Sequence, residues 1–511
     1  MRSSTGHPGA QDEVYARLAR AAVARGRQAL VLVPEIALTP AIAARLRPAF
    51  GARVAVQHSG LSDGARHDQW HRIRRGEVDV VVGTRSAVFA PLPSVGLIVV
   101  DEEHDASYKQ DESPRYHGRD VAIMRGKRDG ALVLLGSATP SLESFRHADN
   151  GRYRRFTLPQ RVGSRPLPDV RIVDMRDELA AQGPDVVLSA PLAEAIDRRL
   201  ADREQALVLL NRRGFAASLL CRGCGHTLEC PDCSVSLTFH RAAGRARCHY
   251  CGYSRARPAA CPRCSATVLE HVGFGTERVQ AELERRWPAA RVARLDRDTV
   301  RRRGGAARLL QRVARRELDV LVGTQMVAKG HDFPGVTLVG VVSADIGLGV
   351  ADFRAAERAF QLLTQVAGRA GRGSVPGEAI VQTLHPGHYA IRHACDQAYA
   401  PFYQEELRFR RALRYPPVVS LVSAVVHGTL RDRTLQEASA LAARLRAAPR
   451  RFTVLGPAPA PLARLRGRYR VQLFLKGGGR AEMREALLRI LDEHPRLKRS
   501  VIVDVDPVSM L

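Results

Sequence analysis

Eight of the nine cysteines fall between residues 221 and 264, as four Cys-x-x-Cys pairs: Cys221/Cys224, Cys230/Cys233, Cys248/Cys251 and Cys261/Cys264. A two-residue spacer lets two thiolates on a tight turn take adjacent corners of a tetrahedron around Zn²⁺, and two such knuckles close one site. Four pairs therefore make two complete Cys₄ sites with no thiol left over. A full set of sulfur donors leaves no open position for water, so both sites are expected to be structural rather than hydrolytic. Redox-active pairs and buried apolar thiols are the competing readings, and punctuation by Gly223, Gly225, Pro231, Gly252 and Pro262 favours metal knuckles over both. His226, His240 and His249 lie nearby, but the cysteine count makes them unnecessary as ligands. So short a segment is a local device, and the rest of the 511 residues must frame it.

The frame is written as alternation. Ala29–Pro34, Val78–Gly83, Leu97–Asp101 and Ala131–Gly136 read as buried strands, separated by helices such as Val14–Arg25 and Thr39–Phe50. Short apolar runs with helical crossovers are the pattern of a parallel α/β sheet. The same grammar returns at Ala206–Leu210, Ala290–Leu295, Val320–Gly323, Leu338–Val342 and Ala379–Thr383. The expected division is a first α/β lobe at 1–149, a connector at 150–185, and a second lobe at 186–220 and 265–385 interrupted by the cysteine module at 221–264. A small α+β domain at 386–511 completes it, with a helix at Pro401–Leu413, a strand at Val418–His427, a helix at Leu435–Ala447 and strands near Val454 and Arg470–Leu475.

No apolar run reaches the ~18 residues of a membrane helix. The start, Met1-Arg-Ser-Ser-Thr-Gly-His-Pro8, has no apolar signal region, so a cytoplasmic protein is expected, where thiols stay reduced. Lys+Arg number 79 against Asp+Glu 52, a formal charge of +27, and only five of the 79 are lysine. A GC-rich genome explains arginine over lysine. It does not explain the size of the excess, which points to a polyanion such as nucleic acid.

Leu97-Ile-Val-Val-Asp-Glu-Glu-His104 is an apolar strand ending in carboxylates. In nucleotide hydrolases this pattern sets an Asp at the strand tip to hold Mg²⁺ through its water shell and the next Glu to orient the attacking water, roles that fall to Asp101 and Glu102. The plainer reading is a solvated helix start. Gly136-Ser-Ala-Thr139 follows the next strand, where small hydroxyl residues can relay between a nucleotide and a bound strand. Gln365-Val-Ala-Gly-Arg-Ala-Gly-Arg372 sets Arg369 and Arg372 three apart on an expected helical face, for charge on a transferring phosphoryl group or for a nucleic-acid backbone. Against the hydrolytic reading, none of the five lysines precedes Ser or Thr, so the phosphate-loop consensus Gly-x-x-x-x-Gly-Lys-[Ser/Thr] is absent from the sequence.

Taken in order, these segments closely resemble the PriA family, the primosomal replication-restart DNA helicases of bacteria in superfamily 2. The likeness runs from about Glu13 to the last residue. Val33-Pro-Glu-Ile-Ala-Leu-Thr-Pro40 is similar to motif Ia, His58–Asp63 and Gly83–Ala87 to the next strand-binding segments, and Asp101-Glu-Glu-His104 to the DEEH box. Asp105–Asp120 resembles the aromatic-rich loop that couples DNA contact to hydrolysis, with Pro114 where many relatives carry Trp. Asn211–Gly214, Gly323-Thr-Gln-Met326, Lys329–Pro334, Asp352–Arg358 and Gln365–Arg372 continue the match through the second lobe, and Leu455–Ala460 and Arg464–Arg470 through the last domain.

The resemblance implies two RecA-like helicase lobes, a zinc module inserted in the second and a C-terminal α+β domain. It implies catalytic roles for Asp101, Glu102, Glu103, His104, Gln365, Arg369 and Arg372, an ATP cleft touching Thr139, Gly330 and Asp332, and DNA contacts from Arg85, Tyr108, Lys109, Arg115, Tyr116 and Thr324. The outer pairs Cys221, Cys224, Cys261 and Cys264 would share one zinc and the inner pairs Cys230, Cys233, Cys248 and Cys251 the other. ATP and Mg²⁺ are the implied cofactors beside zinc. Forked and single-stranded DNA, primosome proteins and the replicative helicase are the implied partners. Two departures are plain. Family members carry 3′-end-binding and winged-helix domains ahead of the first lobe, whereas this sequence begins at that lobe. The family also has Gly-Ser-Gly-Lys-Thr before Glu-Val-Tyr, where this sequence has Gly9-Ala-Gln-Asp12 before Glu13-Val-Tyr15. Three outcomes stay open: an ATP-driven 3′→5′ helicase, a non-hydrolysing DNA-binding scaffold, and an inactive product lacking its phosphate loop.

Overall fold

The computed structural model describes residues 2–5, 8–158, 168–183, 185–210, 219–221, 223–233, 235–240, 244–266, 269–271, 275–296, 305–328, 333, 335–371, 375–448 and 451–510, with backbone alone at 2–5, 8–10, 219–220, 240, 269–271, 306–307, 326 and 328. The chain divides into two compact units, Met1–Pro166 and Leu167–Leu511.

The first unit is a seven-stranded parallel sheet of β1 (Arg2–Thr5), β2 (Gln28–Leu32), β3 (Val54–Gln57), β4 (Val80–Gly83), β5 (Val95–Val100), β6 (Leu132–Gly136) and β7 (Arg154–Thr157), in the order β3-β4-β2-β5-β6-β1-β7. Its strands are apolar on both sides because helices cover both faces. Alternate residues feed different cores: Val31, Leu97 and Val99 join Tyr15, Leu46 and Phe50 on one face, while Leu30, Ile98 and Val100 join Ile73, Val88 and Tyr108 on the other. The helix Thr39–Phe50 has the expected bounds, whereas the first helix starts earlier than expected, at Pro8, and ends at Val23. The helix Asp63–Arg74 had no counterpart in the sequence reading. Ile73 is its one buried residue, so it carries almost no apolar stripe, and it begins where Ser62 caps the amide of Ala65.

The second unit holds a six-stranded parallel sheet of β8 (Asp169–Asp174), β9 (Gln205–Leu210), β15 (Val292–Leu295), β16 (Val320–Gly323), β17 (Val336–Val342) and β18 (Glu378–Thr383), ordered β15-β16-β9-β17-β18-β8. Between β9 and β15 the cysteine module folds as two small antiparallel sheets. One pairs β10 (Leu219–Cys221) with β14 (Leu269–His271), and the other joins β11 (Thr238–His240), β12 (Arg245–Arg247) and β13 (Ser254–Ala256). The last domain is an antiparallel sheet of β19 (Ser420–Gly428), β20 (Phe452–Leu465), β21 (Arg468–Gly477) and β22 (Val501–Val505), ordered β20-β21-β19-β22, with the helices Arg431–Ala447 and Arg480–Glu493 on its apolar face.

Residues 150–185, expected as a linker or β-rich connector, carry a strand of each large sheet. β7 closes the first sheet beside β1, and β8 opens the second beside β18. Both strands are polar and half-exposed, as edge strands are, so their pattern lacked the apolar run that marked the inner strands. Among the described residues no helix is long and apolar enough to cross a membrane.

Candidate functional site

In parallel α/β sheets ligands gather at the carboxyl ends of the strands. Asp101 and Glu102 stand there, directly after β5, and Ser137 and Thr139 directly after β6. Asp101 continues the ladder by donating its amide to the Leu32 carbonyl at 2.9 Å. Glu102 then turns back with a positive φ of 46°, costly for a residue with a Cβ and concentrated at functional positions. Its carboxylate lies 3.6 Å from His104 Nδ1, and that same nitrogen lies 2.7 Å from Ser137 Oγ. The Ser137 hydroxyl also accepts the amide of the buried Thr139 at 2.9 Å. The structure thus brings Glu102, His104, Ser137 and Thr139 into one row, hydrogen-bonded from His104 to Thr139 and with the Glu102 carboxylate beside its His104 end.

Glu103 does something else. Its carboxylate is 1% exposed and accepts from the Ser141 amide (2.7 Å), Ser141 Oγ (3.1 Å), Ser144 Oγ (2.8 Å) and Arg119 Nη1 (3.0 Å). Four buried donors leave it no face toward a reacting group, so its expected catalytic role gives way to a structural one. Arg119, Ser141 and Ser144 were missed in the sequence. Ser141 is readable as the cap of the helix Leu142–Asp149, but its second duty toward Glu103 needs the tertiary fold.

The aromatic-rich loop is likewise tied down. Tyr108 is fully buried, its hydroxyl within reach of the carbonyls of Asp101 (2.7 Å) and Leu32 (3.0 Å), so its ring is core and cannot stack on a base as expected. Lys109 is buried as well. Arg85 donates from Nη1 to the carbonyls of Ser107 (2.9 Å) and Lys109 (2.6 Å), clasping the loop. Lys109 and His117 pair across it. Arg115 and Tyr116 stay part-exposed, and Tyr116 meets the exposed Phe89 edge-on with centroids 5.0 Å apart.

In the second unit Gln365 lies in the helix Ala355–Ala367, which ends before Arg369. Arg369 follows the helix end, off the helical face expected for it, and is 7% exposed, and Arg372 lies outside the described residues. So do Gly330, Asp332, Lys329 and Asn211–Gly214. Thr324 directly follows β16, at the carboxyl end of its strand. Asp352, buried, pairs with Arg358 at 3.0 Å and accepts the amides of Arg354 (3.0 Å) and Met510 (3.2 Å).

The cysteines form two sets, Cys221/Cys224/Cys261/Cys264 and Cys230/Cys233/Cys248/Cys251, with the sulfurs of each set within 4.8 Å of one another. Sγ–Sγ separations are 3.6 Å for Cys221–Cys264, 3.7 Å for Cys224–Cys261 and 3.6 Å for Cys230–Cys251. A tetrahedron of Zn–S bonds near 2.3 Å has edges of about 3.8 Å, so both sets fit zinc. Amides of Tyr250, Tyr253 and Arg263 point at Cys248, Cys251 and Cys261 from 3.4 Å, the outer-shell donors a thiolate site needs. The inner set is buried in a core shared with Phe353, Tyr415, Leu421, Phe474 and Met510. Tyr415 donates to the Cys233 carbonyl at 3.2 Å and stacks on Phe353 at 4.8 Å. The outer set is more open, with Cys264 exposed.

ATP–Mg²⁺ fits less well. Counted back from Glu13-Val-Tyr15, Gln11 stands at the position of the family's phosphate-loop Lys and Asp12 at that of its Thr. The Asp101 carboxylate accepts from Tyr15 Oη at 2.9 Å and Gln11 Nε2 at 3.3 Å, and Gln11 also contacts the Tyr15 hydroxyl. Burial raises the Asp101 carboxyl to about 6, with the Tyr15 hydrogen bond opposing the rise. Asp12 forms an ion pair with Arg45. A neutral amide where a phosphate-binding ammonium belongs, and a carboxylate where a Mg²⁺-binding hydroxyl belongs, do not suit a nucleotide triphosphate.

Three families match along the chain: "DEAD/DEAH box helicase" at residues 13–147, "PriA DNA helicase Cys-rich region (CRR) domain" at 230–255 and "Primosomal protein N C-terminal domain" at 411–508. "Replication restart protein PriA" of Bacillus subtilis is 44% identical over 98% of this chain and 62% of its own length. That of Synechocystis is 44% identical over 98% and 61%, and that of Treponema pallidum 41% identical over 98% and 75%. The chain thus spans about three fifths of the first two relatives. Near-complete coverage of its own length at this identity, with helicase, cysteine-rich and C-terminal segments in the same order, means that the chain belongs to the PriA family of replication restart proteins.

Proposed function

We propose that this chain serves replication restart in the bacterial cytoplasm as a DNA-binding scaffold that does not turn over ATP. Its arginine-rich surfaces hold forked and single-stranded DNA, with Arg115 and Tyr116 available at the aromatic-rich loop. The zinc module and C-terminal domain are the surfaces offered to primosome proteins and the replicative helicase. The observation that carries this reading is the engagement of Asp101 by Tyr15 and Gln11. Phosphoryl transfer depends on positioning and on charge around the phosphates, and this chain supplies neither a Lys nor a hydroxyl there. A second reading, an ATP-driven 3′→5′ helicase, is favoured by the intact row Glu102–His104–Ser137–Thr139.

Fluorescence anisotropy on a fork and DNA-stimulated ATPase assays separate the two. The scaffold binds the fork with the same affinity with and without ATP–Mg²⁺ and hydrolyses at background, while Gln11→Lys with Asp12→Thr gains nucleotide binding. Robust DNA-dependent hydrolysis by the unmodified chain, abolished in Glu102→Gln, refutes it.

A further inference from the structure

β20 and β21 run into a two-residue turn at Arg466 and Gly467, with φ of 49° and 79°, the double positive φ that matches strand twist in a tight hairpin. The tip passes the end of β19, whose last residue, Gly428, lies opposite Tyr469. Within seven residues it carries Arg464, Arg466, Arg468 and Arg470, and from Phe452 to Gly477 there is no Asp or Glu. Arg464, Leu465, Arg466 and Arg468 are exposed. Arg464 lies over the Tyr469 ring at 5.4 Å and Arg468 contacts His427 at 3.1 Å, neither being a carboxylate. Among the described residues Arg464 and Arg468 have no carboxylate beside them, so these guanidinium groups on one tight hairpin repel each other, and a polyanion removes that penalty.

The register says which polyanion. Arg464 pairs with Tyr469 and Leu465 with Arg468, and cross-strand partners share a face. Arg464 therefore lies on one face, Arg468 and Arg470 on the other, and Arg466 at the tip. A ribbon lying flat on one charged surface would turn away either Arg464 or the pair Arg468 and Arg470. One entering a groove meets phosphates on both walls, and the major groove, about 12 Å wide, admits a two-stranded β-ribbon. The tip has no Asn or Gln to read base edges, so its contacts are with the backbone and indifferent to sequence.

We infer that the β20–β21 hairpin is a duplex-binding arm that enters a groove of double-stranded DNA beside the unpaired strand. This rests on the DNA-binding reading above and assigns that reading's duplex contact. The test uses the full chain carrying Arg464→Ser, Arg466→Asn and Arg468→Ser, with a blunt mixed-sequence duplex, an oligo-dT single strand and a polyglutamate peptide as probes. Loss of three phosphate contacts makes the slope of log K against log salt shallower by about 3 and weakens duplex binding about tenfold or more, while oligo-dT changes by about twofold or less. The triple Arg→Lys variant keeps duplex affinity within about threefold, because the charge remains. Unchanged duplex affinity and slope overturn the inference. So does an equal loss on both DNA probes, or a loss confined to polyglutamate, which would make the arm a grip for acidic protein segments. If the unmodified chain binds neither DNA probe, the DNA-binding reading itself falls and the arm with it.

Discussion

Glu102 and Glu103 are neighbours of the same type, yet the structure gives them opposite duties, and Glu103→Ala separates these. Glu103 is buried among four donors, and the change takes the acceptor from the Ser141 amide and two hydroxyls and leaves Arg119 Nη1 with the Ser141 hydroxyl at 2.8 Å in place of its carboxylate. Removing one member of a buried ion pair costs ~3–5 kcal/mol. Asp120, 3.0 Å from Arg119 Nε, retains part of the pairing and holds the loss to the low end, about 3 kcal/mol. Glu103→Gln keeps the volume and one acceptor oxygen but turns an NH₂ toward a donor, for about 1–2 kcal/mol. Glu102→Gln, on a side chain 31% exposed, stays within about 0.5 kcal/mol. The chain has two tryptophans, Trp70 in the first unit and Trp287 in the second, so in a Trp287→Phe background Trp70 fluorescence follows urea unfolding of the first unit alone. The reasoning fails if Glu103→Ala leaves that transition unmoved, or if Glu102→Gln shifts it as far.

Metal analysis of protein purified under reducing, chelator-free conditions should give two zinc ions per chain and one for Cys230→Ser, and a chelator should strip the outer site first because Cys264 is exposed. One zinc or none in the unmodified protein contradicts both sets. Asp101→Asn should raise first-unit stability near neutral pH. The folded carboxyl titrates at about 6 against an ordinary 3.8, so the folded state holds a proton the unfolded state has released. Stability therefore falls as pH rises from about 4 to 6, by up to about 3 kcal/mol, and the Asn variant should lose that slope in the Trp70 assay. Equal slopes in the two proteins would rule out Asp101 as its source.

The inner strands were legible because burial on both faces leaves a run of Val, Ile and Leu, as at Leu97–Val100 and Val320–Val322. The edge strands β7 and β8 were not, since one-sided solvation mixes Arg, Asp and Thr into them and erases the run. The eight zinc ligands could be read from their two-residue spacing, whereas which pairs share a site followed from the family resemblance. Site roles among carboxylates and aromatics could not. Glu103 and Tyr108 stand where a motif expects chemistry, and burial against residues as far as 41 and 76 positions away in sequence decides what they do. Gln11 was the opposite case: the missing lysine showed in the sequence, but that its amide would turn onto Asp101 did not.

The buried contacts of the aromatic-rich loop give it a mechanical role its exposed rings alone would not. Tyr108 reaches the carbonyls at the ends of β2 and β5, Arg85 clasps the carbonyls on either side of Tyr108, and Arg119 at the loop's far end holds Glu103. Under the proposed DNA contact at Tyr116 or Arg115, a force on the loop reaches both sides of Glu102, through Tyr108 on the Asp101 carbonyl and through Arg119 on the Glu103 carboxylate. Between those two points lies the one residue of the segment with a left-handed backbone, the place where a small displacement changes φ and ψ most readily. In a relative with a complete phosphate loop such a linkage can carry DNA contact to the nucleotide. In this chain the same linkage ends on an Asp101 already held by Tyr15 and Gln11.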